Sequence, residues 1–142
     1  MDKRKQITAR AIVRTLLSAI YLAAGVLHLA APGPFLSITP SWVPFPEQVV
    51  ALTGLAELAG AFGLMVPGLR RAAGIGLALY AVCVFPANIQ HAMDSLGRPE
   101  ALSGLWYHVP RLLLQPVIVW WALWAGKVID WPFARHTRTK SN

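Results

Sequence analysis

Glu57 lies in the middle of EQVVALTGLAELAGAFGLMVP, a segment otherwise composed like a membrane span. A carboxylate at that depth in hydrocarbon costs about 2.5–3.5 kcal/mol on insertion scales, so such residues face a protein interior and take a partner. Other apolar stretches carry His28, Asn88, His91, His108, Arg111 and Gln115. A helical rise of about 1.5 Å per residue puts His28 roughly 5 Å, Asn88 about 8 Å and Arg111 about 9 Å below one surface, with Gln115 and Glu57 about 15 Å deep. Gln90, His91, Tyr107 and His108 fall at the rim. The polar side chains thus share one half of the layer; Arg14, near the other edge, is the exception.

Helical spacing assigns their faces. Glu57 shares a face with Thr53, Gly54, Gly60 and Ala61, and His28 with Tyr21, Ala24 and Gly25. Asn88 aligns with His91, and Arg111 with Tyr107, His108 and Gln115. Four such faces converge on a pocket in which Glu57 accepts or balances charge, Arg111 is its counter-ion, and His28 and Asn88 donate. The alternative is a structural plug, since interhelical polar contacts average about 0.6 kcal/mol and reach 1.7 in membrane proteins.

Specific chemistries can be weighed on those residues. Haem needs facing axial ligands, and His28, His91 and His108 sit at unequal depths with no attachment motif. No H-x-x-x-H or E-x-x-H spacing supports a metal, and no metal site is expected. A proton relay would need polar groups reaching the other surface, which argues against transport. A quinone head fits better, because it asks only for an apolar slot with one or two donors. The cofactor is left unidentified, with quinone the one the slot accommodates.

The elements that must position these groups follow from composition. The chain has 142 residues, 56% hydrophobic and 13% charged, with a mean hydropathy of +0.50. Soluble domains carry roughly 25% charged residues. Four stretches are long enough for a core of about 30 Å, at residues 11–31, 47–67, 72–93 and 105–126. The expected architecture is all-α, one domain over residues 1–142, an integral membrane four-helix bundle. Small residues four apart, Ala56/Gly60, Ala59/Gly63 and Ala72/Gly76, would let helices approach closely.

The net charge of +7 is topological. Of 13 Lys and Arg residues, all but Arg98 and Arg111 fall on the side shared by the N-terminus, the second loop and the C-terminus. The positive-inside rule makes that side cytoplasmic, in a bacterial inner membrane. The partner is then the lipid bilayer, with a secondary attraction to anionic headgroups, and nucleic acid is excluded. The N-terminal apolar run exceeds a signal-peptide h-region of about 7–15 residues, so a retained first span is expected. One cysteine, Cys83, permits no internal disulfide and reads as a small buried apolar residue.

The loop PGPFLSITPSWVPFP is too proline-rich for regular helix and too apolar for water, so it should fold onto the bundle mouth or sit in the membrane interface. Trp42 and Trp106 would form an outer aromatic belt, and Trp120, Trp121, Trp124 and Trp131 an inner one. The turn at residues 67–71 is short enough to make its flanking helices antiparallel neighbours. DSLGRPEALSG reads as a solvated loop, and the tail with His136 as a polar, basic end. Pro86 and Pro116 would free the carbonyls of Val82 and Leu112 for the pocket or for water.

Several motifs together resemble the DoxX-like family of small four-span membrane proteins. They are G-x-x-H ending at His28, the I-x-P-x-x-V-P-x-P loop, T-G-x-x-E-L-x-G-x-x-G-L around Glu57, the L-R-R turn and F-P-A-N-I at Asn88. The likeness spans roughly residues 16–126. It implies a subunit or accessory of a membrane redox system, linked to quinone and a protein partner, or a stress-defence membrane protein. It points at His28, Glu57, Pro86 and Asn88. Without a cysteine pair, a thiol relay does not follow, and the chain is not expected to be a stand-alone enzyme.

Overall fold

A computed structural model describes residues 3–96 and 101–131. It is all-α: α1 Lys3–Ala30, α2 Gly33–Ser37, α3 Pro46–Met65, α4 Arg70–Leu96 and α5 Ala101–Ala125. No strand occurs among the described residues. The four long helices close a ring of contacts, α1 on α3, α3 on α4, α4 on α5 and α5 on α1, while α2 leans on α3.

Among the described residues three helices, Arg4–Ala30, Pro46–Met65 and Arg70–Leu96, are long and apolar enough to cross a membrane. The stretch expected as a fourth span lies in α5, where His108, Arg111, Gln115, Pro110 and Pro116 interrupt the apolar run. The outward surfaces are apolar. Leu52, Phe62, Leu79 and Leu113 are all exposed, a composition compatible with lipid as the solvent and costly in water.

Local chemistry sets the breaks. Pro46 begins α3 where a missing N–H costs nothing, behind Phe45 at φ 51. The turn after Met65 is short, as expected, and brings α4 back beside α3. The proline-rich loop contains one helical turn that the sequence reading did not expect. Pro34 sits in its first turn, where proline displaces no helical hydrogen bond.

The apolar core lies toward the α3–α4 turn. Leu17, Tyr21, Ala61, Leu64, Leu77 and Ala122 are among its buried members. Of the small-residue pairs, Gly60 packs under Leu77, and a Cβ at Gly63 would stand 2.8 Å from Ala73 Cβ. Gly76 has nothing within 4 Å of where its Cβ would be, so it takes no part in that contact. Two other expectations are corrected. Cys83 is exposed, because the small-residue face of α4 turns inward and carries Cys83 out. Trp124 is buried beneath Arg10, whose guanidinium carbon lies 5.0 Å from the ring centroid, so it is no belt residue. Residues 97–100, with Arg98, and the tail with Arg135, His136, Arg138 and Lys140 lie outside the described residues; the rest of the expected second loop is helical, since α4 runs to Leu96 and α5 starts at Ala101.

Candidate functional site

Two glycines set the geometry. A Cβ on Gly25 would stand 2.8 Å from the Gly54 carbonyl oxygen, and one on Gly54 2.9 Å from His28 Cβ. Backbone contact between α1 and α3 follows from that bareness, and it delivers His28 to Glu57. His28 Nδ1 lies 2.9 Å from Glu57 Oε2. The same nitrogen is 2.9 Å from the Ala24 carbonyl. With two acceptors before it, Nδ1 carries the proton. Ala24 takes the better-aligned bond, so Oε2 has the ring beside it without an aligned hydrogen bond.

Glu57 is only 4% exposed. Its other oxygen accepts from the Tyr80 hydroxyl at 2.8 Å. Tyr80 meets Tyr21 edge to face, with centroids 6.2 Å apart, and Thr53 adds its hydroxyl beside Tyr80. One carboxylate therefore joins α1, α3 and α4.

A second chain joins α4 to α5. Arg111 Nη2 donates to Asn88 Oδ1 at 2.6 Å, and Asn88 Nδ2 donates to Gln115 Oε1 at 3.4 Å. Gln115 Nε2 donates to the carbonyl of Ala81. That carbonyl lies in the turn before Pro86, one residue before the Val82 group expected to be freed. Arg111 also lies over Tyr107, 5.7 Å from the ring centroid. Its Nη1 is buried and has no hydrogen-bond partner.

Both chains line one cavity of about 340 Å³. Its walls include His28, Glu57, Tyr80, Asn88, His91, Arg111 and Gln115. The loop forms the roof. Phe35 stacks on the His28 ring with centroids 3.7 Å apart, and Ile38, Pro40 and Val43 complete that side. Most of the lining is apolar, with the polar groups converging from four helices, the usual build of a small-molecule site.

The sequence-derived residues are brought together with three differences. First, Glu57 and Arg111 form no ion pair among the described residues; His28 and Tyr80 occupy the carboxylate instead. Second, Asn88 accepts from Arg111 as well as donating. Third, His108 does not line the cavity. It packs at the rim, its ring centroid 4.8 Å from that of His91 and Nε2 2.9 Å from Ser95 Oγ. Tyr80 was missed. It lies on the Asn88 face two turns earlier, so extending that face by i−4 and i−8 would have found it.

The family model that matches the chain is Domain of unknown function (DUF8561), over residues 17–126. This corrects the DoxX-like resemblance. Small residues before a histidine, prolines in a loop and a buried carboxylate are what close helix packing around a polar site demands, so they do not single out one family. Among curated proteins and solved structures, none matches the chain.

Proposed function

The chain belongs to the family of the domain of unknown function DUF8561, and on that premise we propose a four-span membrane protein whose cavity holds the polar head of a lipid-soluble ligand. Both termini lie on the basic, cytoplasmic side of a bacterial inner membrane and the cavity opens outward. A quinone is the ligand class the walls suit best, and the protein acts as a non-catalytic accessory of a quinone-linked redox system.

One observation carries this reading. Arg111 is a cation half-buried among membrane-type helices, with an amide oxygen but no carboxylate for a partner among the described residues. Its buried Nη1 is unpaired. A carbonyl of the oxidised quinone would accept from it, and in the reduced quinol form a ring hydroxyl would donate to Glu57. Burying a charge with incomplete partners costs several kcal/mol, of order, which a ligand bond offsets.

A second reading has its own support. The contacts of His28, Tyr80, Asn88 and Gln115 tie each long helix to a neighbour. Such a network serves as a register lock in an assembly or stress-response protein without any ligand.

Purification in mild detergent followed by solvent extraction and a reduced-minus-oxidised ultraviolet spectrum separates the two. The ligand reading expects quinone with the wild type and its loss in Arg111→Leu. Wild-type protein that carries none, and whose melting is unmoved by added quinone, leaves only the register lock.

A further inference from the structure

The end of the molecule opposite the cavity gathers three guanidinium groups. Arg10 is anchored there. Its Nη2 donates to Asp130 Oδ1 at 2.7 Å and to the Ile129 carbonyl at 3.4 Å. Arg70 is anchored too, with Nε 3.2 Å from the Leu64 carbonyl and Nη2 3.4 Å from that of Met65. These are last-turn carbonyls of α3, which a cation complements.

Arg14 differs. One turn along α1 from Arg10, it is close enough to both Arg10 and Arg70 for their charges to repel. Its Nε is buried and has no hydrogen-bond partner. One turn deeper on the same face, Ser18 is 7% exposed, and its hydroxyl also lacks a partner. Among the described residues the one carboxylate paired here is Asp130, already held by Arg10. Three converging cations with one anion leave a charge deficit, and three unpaired donors lie there, Arg10 Nε, Arg14 Nε and the Ser18 hydroxyl.

The surroundings say which anion belongs there. Ile7, Ile12, Leu16 and Ile20 are exposed on α1 on either side of Arg14. Trp131, beyond α5, is exposed near the same end. Apolar flanks and an interfacial tryptophan mark the headgroup level of a bilayer, where the abundant anion is the phospholipid phosphate. An arginine fork matches phosphate oxygens in pairs.

We propose that Arg14, with Arg10 and Arg70 as its charged neighbours, seats the phosphate of one anionic phospholipid. This is independent of the cavity and its ligand. The lipid bridges the three guanidiniums and ties the start of α1 to the α3–α4 turn.

The test is native mass spectrometry of the protein released from nanodiscs of phosphatidylcholine with one-fifth phosphatidylglycerol. Wild type should retain one phosphatidylglycerol per chain. Arg14→Gln should lower that retention roughly fivefold, the effect of one interfacial arginine, while Arg71→Gln, at the exposed neighbour of Arg70, should leave it unchanged. Equal losses in both variants would mean a diffuse surface field and overturn the seat. Release of the lipid by millimolar inorganic phosphate would also overturn it, showing a site for free phosphate. Should Arg14→Gln fail to fold, the wild-type melting midpoint decides. It must rise with phosphatidylglycerol and not with equal phosphatidylcholine; equal responses refute the proposal.

Discussion

His28 Nδ1 and Glu57 Oε2 stand 2.9 Å apart, and the contact depends on Gly54, one turn before Glu57. A Cβ there would lie 2.9 Å from His28 Cβ and 3.1 Å from the Gly25 carbonyl oxygen. Gly54→Ala should therefore push α1 from α3 and separate imidazole from carboxylate. Overpacking of this kind costs about 1–3 kcal/mol. Gly33→Ala meets open space and serves as control. Equal melting temperatures for the two variants would contradict the packing account.

Tyr80→Phe removes the hydroxyl that donates to Glu57 and leaves the ring. Membrane hydrogen bonds average about 0.6 kcal/mol and reach 1.7, and a buried carboxylate oxygen left bare raises the cost. A destabilisation of about 1–2 kcal/mol is expected from those terms, measured by unfolding in mixed micelles. Tyr80→Phe combined with Glu57→Gln should cost less than the sum of the two. Strict additivity would show that the hydroxyl and carboxylate are not coupled.

What the sequence disclosed about this site, and what it hid, follows from geometry. Composition and helical spacing singled out Glu57, His28, Asn88, Arg111 and Gln115, which the structure gathers along one cavity, because buried polar groups are conspicuous against apolar runs. Partner choice was visible only in part: His28 was among the expected donors and Tyr80 was not. Glu57 and Arg111 have opposite charge and similar expected depth, yet α1 and α4 bring His28 and Tyr80 to the carboxylate. That outcome depends on which helices touch, and the Gly25–Gly54 contact is an interhelical fact. Tyr80 was overlooked because a tyrosine in an apolar run reads as ordinary packing. Family membership was hidden for a related reason, since the motifs around Glu57 reflect packing needs that many membrane helices share.

Arg111 should respond differently to two substitutions. Arg111→Lys keeps the charge but loses the fork that reaches Asn88 while leaving Nη1 unpaired. Arg111→Leu removes the buried charge altogether. In ligand-free protein Arg111→Leu should be neutral or stabilising by up to about 1–4 kcal/mol, the range seen when buried ionic groups give way to apolar ones. Strong destabilisation by Arg111→Leu, with the protein stripped of lipid-soluble ligand, would identify the arginine as a structural tie.

The roof supplies the last prediction. Phe35 covers His28 at a centroid separation of 3.7 Å, and the His28 side chain is 14% exposed. Phe35 belongs to α2, a single short helical segment held against α3, so its hold on the ring is local. Phe35→Ala removes the stacking face without touching Glu57 or Tyr80. Diethyl pyrocarbonate should then modify His28 faster, roughly tenfold, equivalent to about 1.4 kcal/mol of lost cover. His108 supplies an internal comparison, since its ring packs on His91 and Tyr107 away from the roof. Peptide mapping by mass spectrometry reads both rates in one sample. Acceleration confined to His28 means that the loop closes the cavity; equal acceleration at both would mean that Phe35→Ala loosens the whole outer end, and the roof assignment would fall.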